Sequence, residues 1–103
     1  MIKDKNMYIP LPEALTIQKS GINGLGLFAK EGIAQGTNLG GTHYKFNGDI
    51  IRTPLGGFIN HSNTPNVVKV ELKDNKYKKW NLVTLRDIKP EEELTIRYTF
   101  YNI

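Results

Sequence analysis

The sequence predicts a mostly β fold made of small sheets, on three observations. Eight short runs rich in β-formers are spaced closely along 103 residues. Ten glycines and five prolines punctuate them, and no segment sustains a helical period. Many short strands joined by Gly/Pro turns are the pattern of an all-β or nearly all-β domain.

In chain order, residues 1–13, with Pro10 and Pro12, read as a lead-in, and residues 14–103 as one domain. The runs are 14–19, 25–30, 37–46, 49–53, 57–61, 66–72, 77–86 and 94–98. In the sixth, Val68, Val70 and Leu72 share one face. In the seventh, Trp80, Leu82 and Thr84 point one way and Asn81, Val83 and Leu85 the other. Lys73-Asp74-Asn75-Lys76 between them reads as a hairpin turn. One helical turn is expected at Lys89-Pro90-Glu91-Glu92-Glu93, with Pro at a first-turn position and acids behind it.

Composition narrows the chemistry. There is no cysteine, which excludes a disulfide scaffold, thiolate-bound zinc and a cysteine nucleophile. The two histidines, His43 and His61, have no carboxylate at ligand spacing, so no metal site is expected. The apolar runs are too short for a membrane span, and Met1–Lys5 has no apolar segment behind it. A cytoplasmic protein is the expectation, in the host cell if the chain is viral. The net charge is +4, from 14 Lys/Arg against 10 Asp/Glu. Lysines 69, 73, 76, 78 and 79 cluster on one hairpin, either as a solvated edge guarded against aggregation or as a patch for an acidic partner. Nucleic acid is not expected, because the sequence shows no basic face interleaved with aromatics.

Three segments carry candidate chemistry. Ser20-Gly21-Ile22-Asn23-Gly24-Leu25-Gly26-Leu27-Phe28-Ala29 is a glycine-rich turn that lets a ligand approach the main chain. It lacks the third glycine of a dinucleotide fingerprint and the Gly-Lys-Ser/Thr of a phosphate loop. Gly56 to Asn66, Gly-Gly-Phe-Ile-Asn-His-Ser-Asn-Thr-Pro-Asn, is rich in groups that hold a polar ligand or stitch a tight turn. An aromatic cluster, Tyr98 to Tyr101, ends a β-run. The acidic run Glu91-Glu92-Glu93 offers either a rim for a basic substrate or a solvated turn.

Their order and spacing resemble the SET domain of protein-lysine methyltransferases. The resemblance rests on Gly24-x-Gly26-x-Phe28-Ala29, Phe58-Ile59-Asn60-His61-Ser62-x-x-Pro65-Asn66 and Glu92-Glu93-Leu94-Thr95-x-x-Tyr98. Ile33-Ala34-Gln35-Gly36-Thr37 and Arg86-Asp87-Ile88-Lys89-Pro90 also fit the family. In size the chain is most similar to minimal SET proteins of viruses and phages. The resemblance implies a β-clip of small twisted sheets with a C-terminal pseudoknot that brings Asn60, His61 and Tyr98 together. It implies S-adenosylmethionine as cofactor, lined by the main chain of Gly24, Leu25 and Gly26, by Asn60 and His61, and by Tyr98 and Phe100. Tyr98 is implied as the catalytic residue, and Thr42, Tyr44 and Tyr101 as lining for the substrate lysine. Asn63 stands where the family carries cysteine, Arg97 where it carries an acid and Gly57 where it often carries arginine. The implied activity is methyl transfer to a lysine of a protein or peptide, the alternative being a binding module without turnover. A second copy is expected to close the cofactor side.

Overall fold

A computed structural model describes residues 11–73 and 77–98. Nine elements follow in order: β1 Leu15–Lys19, β2 Leu25–Ala29, β3 Asn38–Phe46, β4 Asp49–Arg52, α1 Pro54–Gly57, β5 Asn60–His61, β6 Val67–Lys73, β7 Tyr77–Thr84 and β8 Glu93–Ile96. They form two four-stranded sheets, ordered β1-β2-β8-β5 and β4-β3-β7-β6. The architecture is mostly β, as the sequence predicts.

Local chemistry closes the hairpins. β1 and β2 pair antiparallel around a loop in which Ser20 N–H donates to Gly24 O at 2.7 Å, with Gly24 at φ 48°. β3 and β4 turn through Asn47 and Gly48, at φ 53° and 85°. Asn-Gly with both residues at positive φ is the hairpin turn whose twist matches the strands it joins. β3 carries irregularities between Asn38 and Gly40 and between Gly41 and His43, which tuck Thr42 into the interior.

Two local expectations are corrected. The run 57–61 is not one strand: Gly57 closes α1, Phe58 N–H donates to Pro54 O at 3.0 Å, and only Asn60 and His61 are extended. Pro54 has no N–H to leave unpaired at this first turn. A Cβ on Gly56 would lie 2.7 Å from His43 Cε1. Residues 89–93 form a β-turn instead of a helical turn, with Glu92 N–H bonded to Lys89 O and Glu91 at φ 70°. Glu91 N–H and Ala29 N–H then pin this turn to the end of β2 through Ala29 O and Glu92 O. Pairing with β2 wins over the weak propensity of three glutamates.

The core lies between the sheets. Leu27, Leu82 and Leu94 are fully buried, joined by Leu15, Ile33, Leu39, Leu55, Ile59, Val67, Ile88 and Ile96. Each fully buried leucine contributes about 2 kcal/mol of transfer free energy. On β6 only Val67 enters this core; Val68, Val70 and Leu72 do share a face, and it is exposed. No helix among the described residues is long and apolar enough to cross a membrane.

Candidate active site

The site forms where β8 is clasped. On one side β8 pairs antiparallel with β2, through Leu27–Leu94 and Phe28–Glu93. On the other it pairs parallel with β5, through Asn60–Thr95 and His61–Ile96. Asn66 extends the clasp with its side chain: Thr95 N–H donates to Asn66 Oδ1 at 2.8 Å, and Asn66 Nδ2 donates to Glu93 O at 2.9 Å. A side-chain amide thus reproduces the donor–acceptor pair of a neighbouring strand. This puts the Asn60–Asn66 segment, the glycine loop and Tyr98 at one place.

Asn60, almost fully buried, joins the first two. Its Nδ2 lies 3.1 Å from Asn23 O, 3.2 Å from Leu25 O and 2.9 Å from a Glu93 carboxylate oxygen. Two N–H bonds serve three acceptors, so this corner has a surplus of negative partial charge. Ser20 completes it. Its hydroxyl approaches both Glu93 oxygens, at 2.9 and 2.8 Å, while its Oγ accepts from Ile22 N–H and Asn23 N–H. A Cβ on Gly26 would displace the Glu93 carboxylate from this position and stand 3.1 Å from Asn60 Nδ2.

The second half centres on Tyr98. Its N–H donates to His61 Nδ1 at 2.9 Å, and its hydroxyl donates to Ile59 O. The two rings lie 5.4 Å apart and tilted by 48°. His61 Nε2 sits 3.2 Å from Asn63 Oδ1. A neutral imidazole protonated on Nε2 satisfies both contacts, accepting at Nδ1 and donating to Asn63.

The other sequence-derived residues fall as follows. Gly24, in the β1–β2 loop, and Leu25, the first residue of β2, are both exposed. Thr42 is fully buried, its hydroxyl donating to Trp80 O at 3.1 Å. Tyr44 lies over Gly41, with Lys79 Nζ 5.6 Å from its ring centre. Phe100 and Tyr101 lie outside the described residues. Within the acidic run, Glu93 holds Ser20 and Asn60, and Glu92 takes Arg86, Lys89 N–H and Asn66 Nδ2. The Arg86 hydrogen bond is the largest cause holding the Glu92 carboxyl down at about 2. Only Glu91 of the three is left fully to solvent, so the run forms no acidic rim.

Sequence reasoning does not single out Ser20, Glu93 or Asn66 in these roles. Ser20 and Glu93 are 73 residues apart, and a polar residue beside a turn gives no sign of a partner that distant.

A family model of the SET domain matches residues 42–99, more than half of the chain. The chain belongs to the SET-domain family. The match spans both Asn60-His61 and Tyr98, which the fold brings into contact. Among solved structures, a Plasmodium falciparum "putative histone methyltransferase" superposes with a TM-score of 0.71 at 21% identity, covering 86% of this chain and 96% of that one. The two share the SET fold. No curated protein sequence matches the chain.

Proposed function

We propose that this SET domain transfers a methyl group from S-adenosylmethionine to the side-chain amine of a protein lysine. The observation that carries the reading is the meeting of three distant segments. Asn60 reaches the glycine loop 35 and 37 residues away, and His61, beside it, holds the main chain of Tyr98.

The acceptor-rich corner fits the cofactor's amino-acid end. Carbonyl oxygens of Asn23 and Leu25 and the Glu93 carboxylate suit an ammonium group, and the missing Cβ of Gly26 is what gives that carboxylate its place. Bound there, S-adenosylmethionine would supply an electrophilic methyl group on a sulfonium for in-line displacement by the amine.

The chain's own residues do the positioning. Tyr98 commits its hydroxyl hydrogen to Ile59 O, which leaves the phenol oxygen's lone pairs free to face positive charge. His61 fixes the backbone from which that ring projects. Alignment of this kind accounts for much of the barrier lowering in displacement reactions. A lysine amine has a reference pKa of about 10.4, so the acceptor must lose a proton before it attacks, which burial of its side chain favours.

The test pairs calorimetry, using S-adenosylmethionine and its demethylated product, with label transfer to lysine-containing proteins of a cell lysate. Tyr98→Phe is expected to retain cofactor affinity and lose most transfer. Binding without transfer by the wild type identifies a binding module instead of an enzyme. Absence of cofactor binding overturns both readings.

A further inference from the structure

The excess positive charge of the chain sits on one face of one sheet. By register, Lys45, Arg52, Lys69, Lys73 and Lys78 project from the same side of β4-β3-β7-β6, with Glu71 as the acid among them. The rest of the chain holds nine Lys or Arg and nine Asp or Glu, so the whole net charge of +4 falls on this face.

It is also the face that enters the core. At one end of the sheet it carries Val67, Leu82 and Thr84, all buried. Toward the other end the sheet runs past the core and the same face turns basic. Lys45 faces Lys78 across β3 and β7, and Lys78 faces Lys73 across β7 and β6, a row spanning roughly 10 Å of backbone. One position further in, Arg52 stands opposite the buried His43. Burial is the main cause that lowers the His43 pKa to about 4, and Lys69 and Arg52, on opposite edge strands, add to it. Cations from both edges thus lean in over the sheet centre and make the face a trough.

Like charges directly opposite one another destabilise a sheet. The half-exposed ion pair of Lys78 with Glu71, at 3.7 Å, offsets little of that. Protection of a sheet edge does not explain the row, because Lys45 and Lys78 lie on the inner strands β3 and β7. The trough adjoins the candidate active site through α1. Gly56 packs against His43, and three residues on, Ile59 O holds the Tyr98 hydroxyl.

We infer that this trough binds an acidic stretch of the acceptor protein, so that the methylated lysine lies beside a run of Asp or Glu. The inference rests on the methyl-transfer reading and names the substrate class. In extended form about four residues cover the row of lysines. Their carboxylates answer the ammonium groups, and Ile50, 50% exposed opposite Lys45, offers apolar contact at the end of the row. Nucleic acid fits less well. The exposed rings of Phe46 and Tyr77 project from the opposite face, and Trp80 on this one is half-buried with its ring perpendicular to that of His43. No exposed ring on the basic face is left for a base to stack on.

The experiment is fluorescence anisotropy of the whole protein in 50 mM salt, with a labelled peptide in which four glutamates flank one lysine and with its glutamine counterpart. The acidic peptide is expected to bind at least about tenfold tighter, from exposed ion pairs worth roughly a factor of two each, and to weaken as salt rises. K45Q/K78Q should weaken it about fivefold. K30Q/K89Q, the same loss of charge at exposed sites off this sheet, should change it less than about twofold. In label transfer to the acidic peptide, K45Q/K78Q should raise KM and leave kcat and the circular dichroism spectrum unchanged. Equal binding of the two peptides, or equal losses in the two double variants, would overturn the inference. Tighter binding of a deoxythymidine oligomer than of the acidic peptide would assign the face to nucleic acid and overturn it too. Transfer to both peptides without preference would defeat the trough alone. Peptide binding with no transfer at all would defeat the methyl-transfer reading and the acceptor assignment with it.

Discussion

Replacing Asn66 with alanine tests the clasp around β8 most directly. Asn66 is 2% exposed and Thr95 7%, so the groups they share are away from water. Asn66→Ala leaves Thr95 N–H and Glu93 C=O without partners and withdraws a weaker contact from Glu92, at 3.3 Å. An unsatisfied buried polar group costs about 1–3 kcal/mol, so the two main-chain groups together cost about 4 kcal/mol. Domains of this size are stable by roughly 5–15 kcal/mol in total, which makes the loss a large share. At about 4–8 °C per kcal/mol, the midpoint should fall by roughly 15–30 °C in scanning calorimetry. Asn66→Asp separates the two halves of the interaction. It keeps the acceptor for Thr95 but loses the donor and sets a carboxylate beside Glu92, so at neutral pH it should be no more stable than Asn66→Ala. Relative to wild type, it should recover toward pH 4 as the new carboxyl regains a proton. A loss below about 1 kcal/mol for Asn66→Ala would refute the reasoning, because it would mean that water reaches these groups.

Burial, with the nearby charges of Lys69 and Arg52, lowers the His43 pKa from 6.5 to about 4. Its unfolded form takes a proton first, so stability present above pH 6.5 should drain away by up to about 3 kcal/mol as pH falls to 4. His43→Leu should remove that slope in urea titrations at stepped pH, and an unchanged slope would clear His43. The depressed Glu92 carboxyl contributes stability above its unfolded value of 4.5 that is lost as pH falls toward 2, so Glu92→Gln should flatten the acid limb in that window. His61→Ala should lower transfer by roughly tenfold through loss of the Tyr98 anchor. His61→Asn should restore part of it, because a side-chain amide oxygen can accept where Nδ1 did; equal loss in both variants would count against the anchor.

Strands were the legible part of this sequence. β-formers between breakers mark β1, β2, β3, β4, β6, β7 and β8 to within a residue or two, because local propensity and turn chemistry set those boundaries. The region 54–61 misleads: Thr53-Pro54 looks like a strand end, yet Pro54 opens a turn that tertiary contacts of Gly56 hold in place. Apolar alternation on β6 marks a face without saying that the face stays wet, since packing from the other sheet reaches only Val67. For the site, the motif order points to Asn60, His61 and Tyr98, which the fold assembles. Glu93, Ser20 and Asn66 stand in the quoted motifs, but their roles are not legible beforehand because these depend on partners 26 to 73 residues away.

The clasp also sets an order of events in folding. β3 with β4 and β6 with β7 pair as close neighbours in sequence and close small loops, and the β3–β7 pairing that joins them spans 31 to 45 residues. β8 must slot between a partner 35 residues away in β5 and another 67 residues away in β2, the longest closure of the fold's named strands. The β3–β4 and β6–β7 pairs are therefore expected to gain hydrogen-exchange protection first and the β8 amides last, with cofactor affinity arriving only at that final step. Ligand binding during refolding would then clock the completion of the fold. Protection of Leu94 and Thr95 ahead of the β6–β7 amides would reverse the order.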